Sequence, residues 1–228
     1  MNHLSTIQQL AILVLPILFA ITLHEVAHGW VAAKLGDKTA QMMGRLTINP
    51  IKHIDPIGTI AVPALLFFIS GFMFGWAKPV PISWQNLNNP KRDMAYVALA
   101  GPGANLIMAL FWGLIAKLSS LFIAVSSTAG LALLYMGIAG IFINIALMVL
   151  NLIPIPPLDG SRVVSSLISD QWSYYYNQLE PYGFFILLAL IFTGVLFRII
   201  LIPLFIMVHL IMNLYHIPMN HLFTFLGQ

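Results

Sequence analysis

Long apolar runs separated by short polar segments dominate the pattern of this chain. A helix of about 20 predominantly apolar residues crosses a bilayer core of about 30 Å, and each run approaches or exceeds that length. No polar stretch long enough for a soluble domain of about 50 residues interrupts them. We therefore predict a single membrane-embedded domain over residues 1–228. The runs are 7–34, 57–75, 94–118, 129–152 and 183–215.

The last apolar run, 183–215, is too long for one simple span. As a single helix it would measure about 50 Å, against a bilayer core of about 30 Å. Arg198 and Pro203 interrupt the run, and a proline inside a helix kinks or breaks it. We predict two helices here, with the break near these two residues.

Composition supports the membrane assignment. Hydrophobic residues make up 60% of the chain and charged residues only 7%, whereas soluble domains are about 25% charged. The absence of cysteine excludes disulfides and thiolate metal ligands, which leaves His, Asp and Glu as candidate ligands. The net charge of +3 comes without a basic run, so nucleic-acid binding has no support.

Five residues inside the first run, His24-Glu25-Val26-Ala27-His28, have the H-E-x-x-H pattern. Residues four apart lie on one face of a helix, so both imidazoles can bind one metal ion with Glu25 beside it. A catalytic zinc has three protein ligands and a fourth position for water, whose pKa falls to about 7 and whose proton Glu25 would accept. The alternative is two unrelated helical histidines. An ionisable cluster inside an apolar span favours the metal site.

The strongest candidate for a third ligand is Asp159, which follows a proline-rich interruption at the end of the fourth run. Pro154, Pro156 and Pro157 break the helical backbone there. Broken backbone at membrane depth is tolerated where it is buried in protein or lines a water-filled cavity, as a hydrolytic site requires. The alternative is an ordinary helix end with Asp159 as a surface cap.

Three motifs, in this order along the chain, resemble those of the site-2 protease family of intramembrane zinc metalloproteases. The resemblance covers roughly residues 10–164 and includes the spacing between the motifs. The motifs are His24-Glu25-x-x-His28, Ala100-Gly101-Pro102-x-x-Asn105, and the stretch from Asn151 to Gly160 with the family's N-x-x-P-x-P-x-x-D-G pattern.

The resemblance implies a role for each residue at a family position. One Zn²⁺ per chain would be bound by His24, His28 and Asp159, with Glu25 as the base. Asn151 would hold the substrate carbonyl or the developing oxyanion. Asn144 and Asn105 would contribute to substrate binding.

The resemblance also implies an all-α polytopic membrane fold. We expect a three-helix catalytic core over about 7–168, re-entrant or short β segments, and additional C-terminal membrane helices over about 183–215. The chain resembles the compact bacterial members, which have no PDZ or CBS domain. Nothing in the sequence indicates an oligomeric state.

The function implied is an intramembrane zinc endopeptidase that cleaves single-span membrane proteins within or near their transmembrane helices. The alternative is a non-catalytic membrane zinc-binding protein or a transporter. Glu25 discriminates between them, because a protein that only binds zinc needs no base beside the ligands.

Charge gives an independent test of topology. If the run 57–75 is re-entrant, entering and leaving on one side, eight of the ten basic residues fall on one face together with the metal site. The positive-inside rule assigns that face to the cytoplasm. We therefore expect a multi-pass protein of the cell membrane with its active site toward the cytoplasm. The eight residues are Lys34, Lys38, Arg45, Lys52, Lys78, Lys91, Arg92 and Arg162.

Two segments outside the predicted helices could bind an unwound substrate. The segment 44–48 alternates weakly between apolar and polar residues, and the segment 79–84 is held extended by its prolines. Either could pair with substrate as an added edge strand. The alternative is that both are simple cytoplasmic loops.

Overall fold

The computed structural model describes residues 6–62, 65, 68, 75, 77–123 and 126–226 of the chain. Within these ranges no residue is assigned to a β-strand, so the expected all-α fold is confirmed and the expected short β segments are extended loops. The α-helices with described ends are α1 (Thr6–Lys34), α2 (Thr39–Met42), α3 (Pro90–Ile123), α4 (Ser127–Asn151), α5 (Asp159–Leu167), α6 (Asp170–Asn177), α7 (Gly183–Phe192), α8 (Val195–Leu214) and α9 (Asn220–Leu226).

Four of these helices are long and apolar enough to cross a membrane, and they correspond to the predicted runs 7–34, 94–118 and 129–152 and to the second part of 183–215. The helices α1, α3 and α4 pack against one another, and α8 packs mainly on α4. On α4 the side chains of Ile138, Ile141 and Ile145 are fully buried at helical spacing. The candidate spans are Ala11–Lys34, Pro90–Phe122, Thr128–Asn151 and Val195–Leu214.

The C-terminal apolar run forms two helices, as expected, but the break lies elsewhere than predicted. Gly194 separates α7 from α8 with φ of 71°, a left-handed conformation that glycine adopts at no steric cost. Pro203 lies inside α8, because membrane helices tolerate proline when neighbouring groups satisfy the freed backbone. With ten residues, α7 measures about 15 Å, so α8 alone is long enough to span.

The segment 54–77 begins and ends at the same end of the helix bundle. The backbone N–H of Lys78 donates to the carbonyl of His53 at 2.9 Å, and the N–H of Asn88 donates to the carbonyl of Leu35 at 2.8 Å. The end of α1 and the start of α3 therefore meet. The predicted re-entrant run, 57–75, lies mostly outside the described residues, but the ends that flank it lie together as that prediction requires.

Candidate active site

The structure brings together the three predicted metal ligands from two distant parts of the chain. His24 and His28 lie one turn apart on α1, and Asp159 is the first residue of α5. The Oδ2 atom of Asp159 lies 3.2 Å from Nε2 of His24 and 3.3 Å from Nε2 of His28, and the two Nε2 atoms are 3.1 Å apart. Among the described residues, these three form the group able to hold a metal ion.

Each imidazole is oriented by a hydrogen bond on its other nitrogen. Nδ1 of His28 donates to the carbonyl of Val97 at 2.7 Å, and Nδ1 of His24 donates to Oδ1 of Asn105 at 2.6 Å. A carbonyl oxygen can only accept, so both protons lie on Nδ1 and both Nε2 atoms present lone pairs. Zinc ligands in proteins are held in this way by outer hydrogen bonds.

The donor set fits zinc in both geometry and chemistry. Zn–N and Zn–O bonds of about 2.0–2.2 Å in a tetrahedron place ligand atoms about 3.3–3.5 Å apart, close to the three distances above. Two imidazole lone pairs and a carboxylate facing each other repel unless a cation lies between them. Oδ2 of Asp159 is buried and has no hydrogen-bond partner, which is costly without a cation. His24, His28 and Asp159 are therefore suited to hold Zn²⁺.

Asn105 and Asn144 form a buried chain of amides behind His24. Nδ2 of Asn105 donates to Oδ1 of Asn144 at 3.0 Å and to the carbonyl of Ala20 at 3.2 Å, and Nδ2 of Asn144 donates to the carbonyl of Gly140 at 2.8 Å. Both asparagines are fully buried. Their polar atoms bond inside the bundle, and neither residue lines the cavity beside the ligands, so the expected role in substrate binding stays a prediction. The geometry favours a positioning role instead.

Gly101 explains why the second motif contains a glycine. A Cβ atom at this position would lie within 3 Å of Nε2 of His28 and of the ring of His24. The helix α3 therefore approaches the metal ligands so closely that only glycine fits. The sequence signal was the motif that contains both Gly101 and Asn105, although spacing alone does not indicate which helix face they occupy.

Glu25 lies beside the ligands and is held by the loop that precedes α3. Its Oε2 atom accepts a hydrogen bond from the backbone N–H of Val80 at 2.8 Å. The sequence predicts that the segment 79–84 is extended, but no side-chain pattern identifies Val80 as a hydrogen-bond partner of Glu25. The predicted base and the extended segment 79–84 are thus in direct contact.

The three ligands and Glu25 line a cavity of about 960 Å³. Asn151, the predicted carbonyl-binding residue, also lines it, although its amide donates to the carbonyl of Leu147 at 3.0 Å within α4. Most of the remaining wall is apolar, so the site combines hydrolytic side chains with a lining suited to apolar polypeptide. Lining residues from the loop are Gly75, Ala77, Pro79, Val80, Ile82 and Trp84.

Comparison with known proteins identifies the class of this site. The sequence profile of Peptidase family M50 matches residues 115–194, which include Asn144, Asn151 and Asp159. The protein named "Putative zinc metalloprotease YwhC" of Bacillus subtilis (strain 168) is 39% identical over 186 residues, which cover 79% of this chain and 80% of that protein. The chain belongs to Peptidase family M50.

Longer mycobacterial relatives also match the chain. "Putative zinc metalloprotease Rip2" of Mycolicibacterium smegmatis is 31% identical over 183 residues, or 79% of this chain and 66% of that protein. Rip2 of Mycobacterium tuberculosis (strain ATCC 25618 / H37Rv) is 32% identical over 144 residues, or 63% of this chain and 52% of that protein. No solved structure matches the chain.

Membership of family M50 confirms the resemblance to the site-2 proteases. With four described helices able to span a bilayer, the chain is a multi-pass membrane zinc metalloprotease. The alternative of a transporter or a non-catalytic zinc protein loses its support, because the family is one of peptidases and the relatives above are named zinc metalloproteases.

Proposed function

We propose that this M50 peptidase is an intramembrane endopeptidase, which hydrolyses peptide bonds within or near the transmembrane helices of single-span membrane proteins. One observation carries the proposal. The side chains of His24, His28, Asp159 and Glu25 face a cavity with mainly apolar walls, inside helices long enough to span a bilayer. A site for soluble peptides would not need apolar walls of this kind.

Each residue has a role in the proposed reaction. His24, His28 and Asp159 would hold Zn²⁺, which would supply Lewis-acid chemistry to a bound water and to the substrate carbonyl. Glu25 accepts a proton from the attacking water and returns it to the leaving amine as the C–N bond breaks. Asn151 can donate to the carbonyl oxygen after its amide leaves Leu147.

The loop segment 79–84 is the better of the two candidate substrate-binding segments. Four of its residues line the cavity, whereas no residue of 44–48 does. A transmembrane substrate must unwind before hydrolysis, because its peptide bonds are shielded in helical turns. An extended loop beside the ligands can pair with the unwound stretch as an added strand.

We further propose that the active site opens toward the cytoplasm. The eight basic residues named above lie at the end of α1, in the segments between α1 and α3, at the start of α3, or in α5, which begins with the ligand Asp159. Arg198 also lies at this end of the bundle, because Leu196, two residues before it, packs with Ile153 just after the end of α4. A bias of this size toward one end is typical of the cytoplasmic face.

Co-expression with a panel of tagged single-span proteins tests the function. We expect the wild type to release fragments whose size places the cut within or next to the span. Glu25→Gln should abolish cleavage and retain zinc by metal analysis, because the ligands are unchanged. Glu180→Gln is the matched control: Glu180 lines the same cavity but pairs with Arg162, so cleavage should persist. Cleavage by Glu25→Gln, or cuts confined to soluble regions, would contradict the proposal.

A further inference from the structure

Between Pro79 and Pro81, the chain offers one backbone hydrogen-bond donor. Proline has no N–H, so Val80 supplies the single amide proton of this tripeptide. That proton is directed to Oε2 of Glu25 at 2.8 Å. A backbone donor to a carboxylate is a charge-assisted bond, which is stronger than one between neutral groups.

The loop around Val80 is anchored on both sides. Before it, Nη2 of Arg45 donates to the carbonyls of Lys78 at 3.0 Å and Pro79 at 3.4 Å. After it, the N–H of Ser83 donates to Oδ2 of Asp37 at 2.7 Å. These bonds leave the amide of Val80 little freedom to move relative to α1.

Packing against α1 holds the same point of the loop. The side chain of Val80 is 5% exposed and lies over Gly29, where a Cβ atom would come within 3 Å of Cγ1 of Val80 and Cδ2 of Leu46. Gly29 is four residues after Glu25, so both lie on one face of α1. The loop therefore crosses the helix on the face that presents the base.

We propose that the backbone amide of Val80 is the positioning group for Glu25. It holds Oε2 and thereby leaves Oε1 to accept the proton. The inference rests on the proposed role of Glu25 as the base. Because the same loop segment lines the cavity, the base is correctly oriented only when that segment is seated on α1.

Val80→Pro removes the N–H and is the direct test. Misplacement of a catalytic group by about 1 Å costs on the order of 100-fold in rate, so we expect kcat to fall about 10- to 100-fold. Zinc content should stay at the wild-type value, because the ligands remain, and the loss should fall on kcat more than on KM. The probe is a quenched-fluorescence peptide with an apolar segment of about 20 residues in detergent micelles.

Val80→Ala is the matched control, since it keeps the N–H and removes two methyl groups. We expect its kcat to exceed that of Val80→Pro by about 10-fold or more, because the donor to Glu25 remains. A loss equal to that of Val80→Pro would assign the effect to packing and overturn the proposal. A rise in KM with unchanged kcat in Val80→Pro would do the same, because the segment would then act only on substrate.

Arg45→Met provides a second route if Val80→Pro does not accumulate in the membrane. It releases the carbonyls of Lys78 and Pro79 and leaves every backbone donor in place. We expect Arg45→Met to lower kcat less than Val80→Pro does, with KM unchanged. Arg92→Met is the control: Arg92 is exposed and lies over the ring of Tyr96, so we expect no effect. Wild-type kcat in Arg45→Met overturns the proposal. Glu25→Gln is assayed in parallel. If it loses activity while Val80→Pro and Arg45→Met do not, the positioning role of Val80 fails and the proposed function stands.

Discussion

Asn105 holds His24 in the tautomer and orientation that a metal ligand needs. Oδ1 of Asn105 lies 2.6 Å from Nδ1 of His24, and its amide nitrogen is engaged by the carbonyl of Ala20 and by Asn144. Those acceptors fix which end of the Asn105 amide faces the histidine. The imidazole consequently presents a lone pair on Nε2 toward Asp159.

Asn105→Leu should weaken zinc binding about 10- to 100-fold, the usual cost of losing an outer hydrogen-bond partner. The volume is similar, so the change removes hydrogen bonds and leaves little empty space. Competition with a chelator of known affinity measures the effect. Ser119→Ala is the control, since it removes another buried polar group of α3 that bonds only within its own helix. Equal zinc affinity in Asn105→Leu and wild type would contradict the positioning role.

Gly101→Ala should abolish zinc binding, because the new methyl group would occupy space that the two imidazoles now fill. The neighbouring glycine offers a close comparison: a Cβ at Gly103 meets no atom within 4 Å. Both changes raise helix propensity equally, so Gly103→Ala should bind zinc as the wild type does. Metal analysis of the two purified variants checks this. Full zinc content in Gly101→Ala would mean that α3 moves away at little cost.

The sequence alone predicts the three candidate metal ligands, but it does not predict the residues that hold them in place. Helical spacing alone brings His24 and His28 together, and the proline-broken helix end singles out Asp159. The role of Asn105 depends on the rotation of α3 against α1, which tertiary packing sets. Val80 acts through its backbone, so the pattern of side chains could not reveal it.

The break between α7 and α8 has a sequence signal at Gly194, whereas Arg198 and Pro203 predict a break further along the chain. Glycine directly after an apolar helix is a common stop, since it adopts positive φ without strain. A proline inside a helix commonly kinks or breaks it, which is why the sequence predicts a break near Pro203. In a membrane helix the nearest partners restore the missing backbone bond, and Pro203 is accommodated within α8.

Asp37 should stabilise the loop that precedes α3, in a pH-dependent way. Its buried carboxylate accepts hydrogen bonds from Thr39, from the N–H of Ser83 at 2.7 Å and from Nδ2 of Asn86 at 3.2 Å. Burial raises the pKa of this carboxyl, but the hydrogen bonds outweigh burial and lower the pKa below its usual value. The carboxylate therefore stabilises the fold above the unfolded-state pKa, and this contribution is lost as pH falls through the folded-state pKa.

Asp37→Asn should lower the free energy of unfolding by about 1–3 kcal/mol at pH 7, because its amide would face backbone donors. The difference from wild type should shrink as the pH falls below the unfolded-state pKa of about 4 and through the lower folded-state pKa. Thermal unfolding in detergent across this pH range measures both effects. Asp170→Asn, at a largely exposed side chain paired with Lys91, should change little at either pH. A constant difference between Asp37→Asn and wild type at all pH values would refute the assigned role.

Cysteine labelling should place the metal-site end of the bundle in the cytoplasm. The chain contains no cysteine, so single variants report without background. Lys38→Cys and Lys91→Cys lie on exposed positions on either side of the run 57–75, and Thr128→Cys lies at the opposite end of α3 and α4. In right-side-out vesicles an impermeant maleimide should label only position 128, and in inverted vesicles only positions 38 and 91.

The reverse pattern would invert the proposed orientation. Labelling of 38 and 91 from different sides would mean that the run 57–75 crosses the bilayer, contrary to the contact between the ends that flank it.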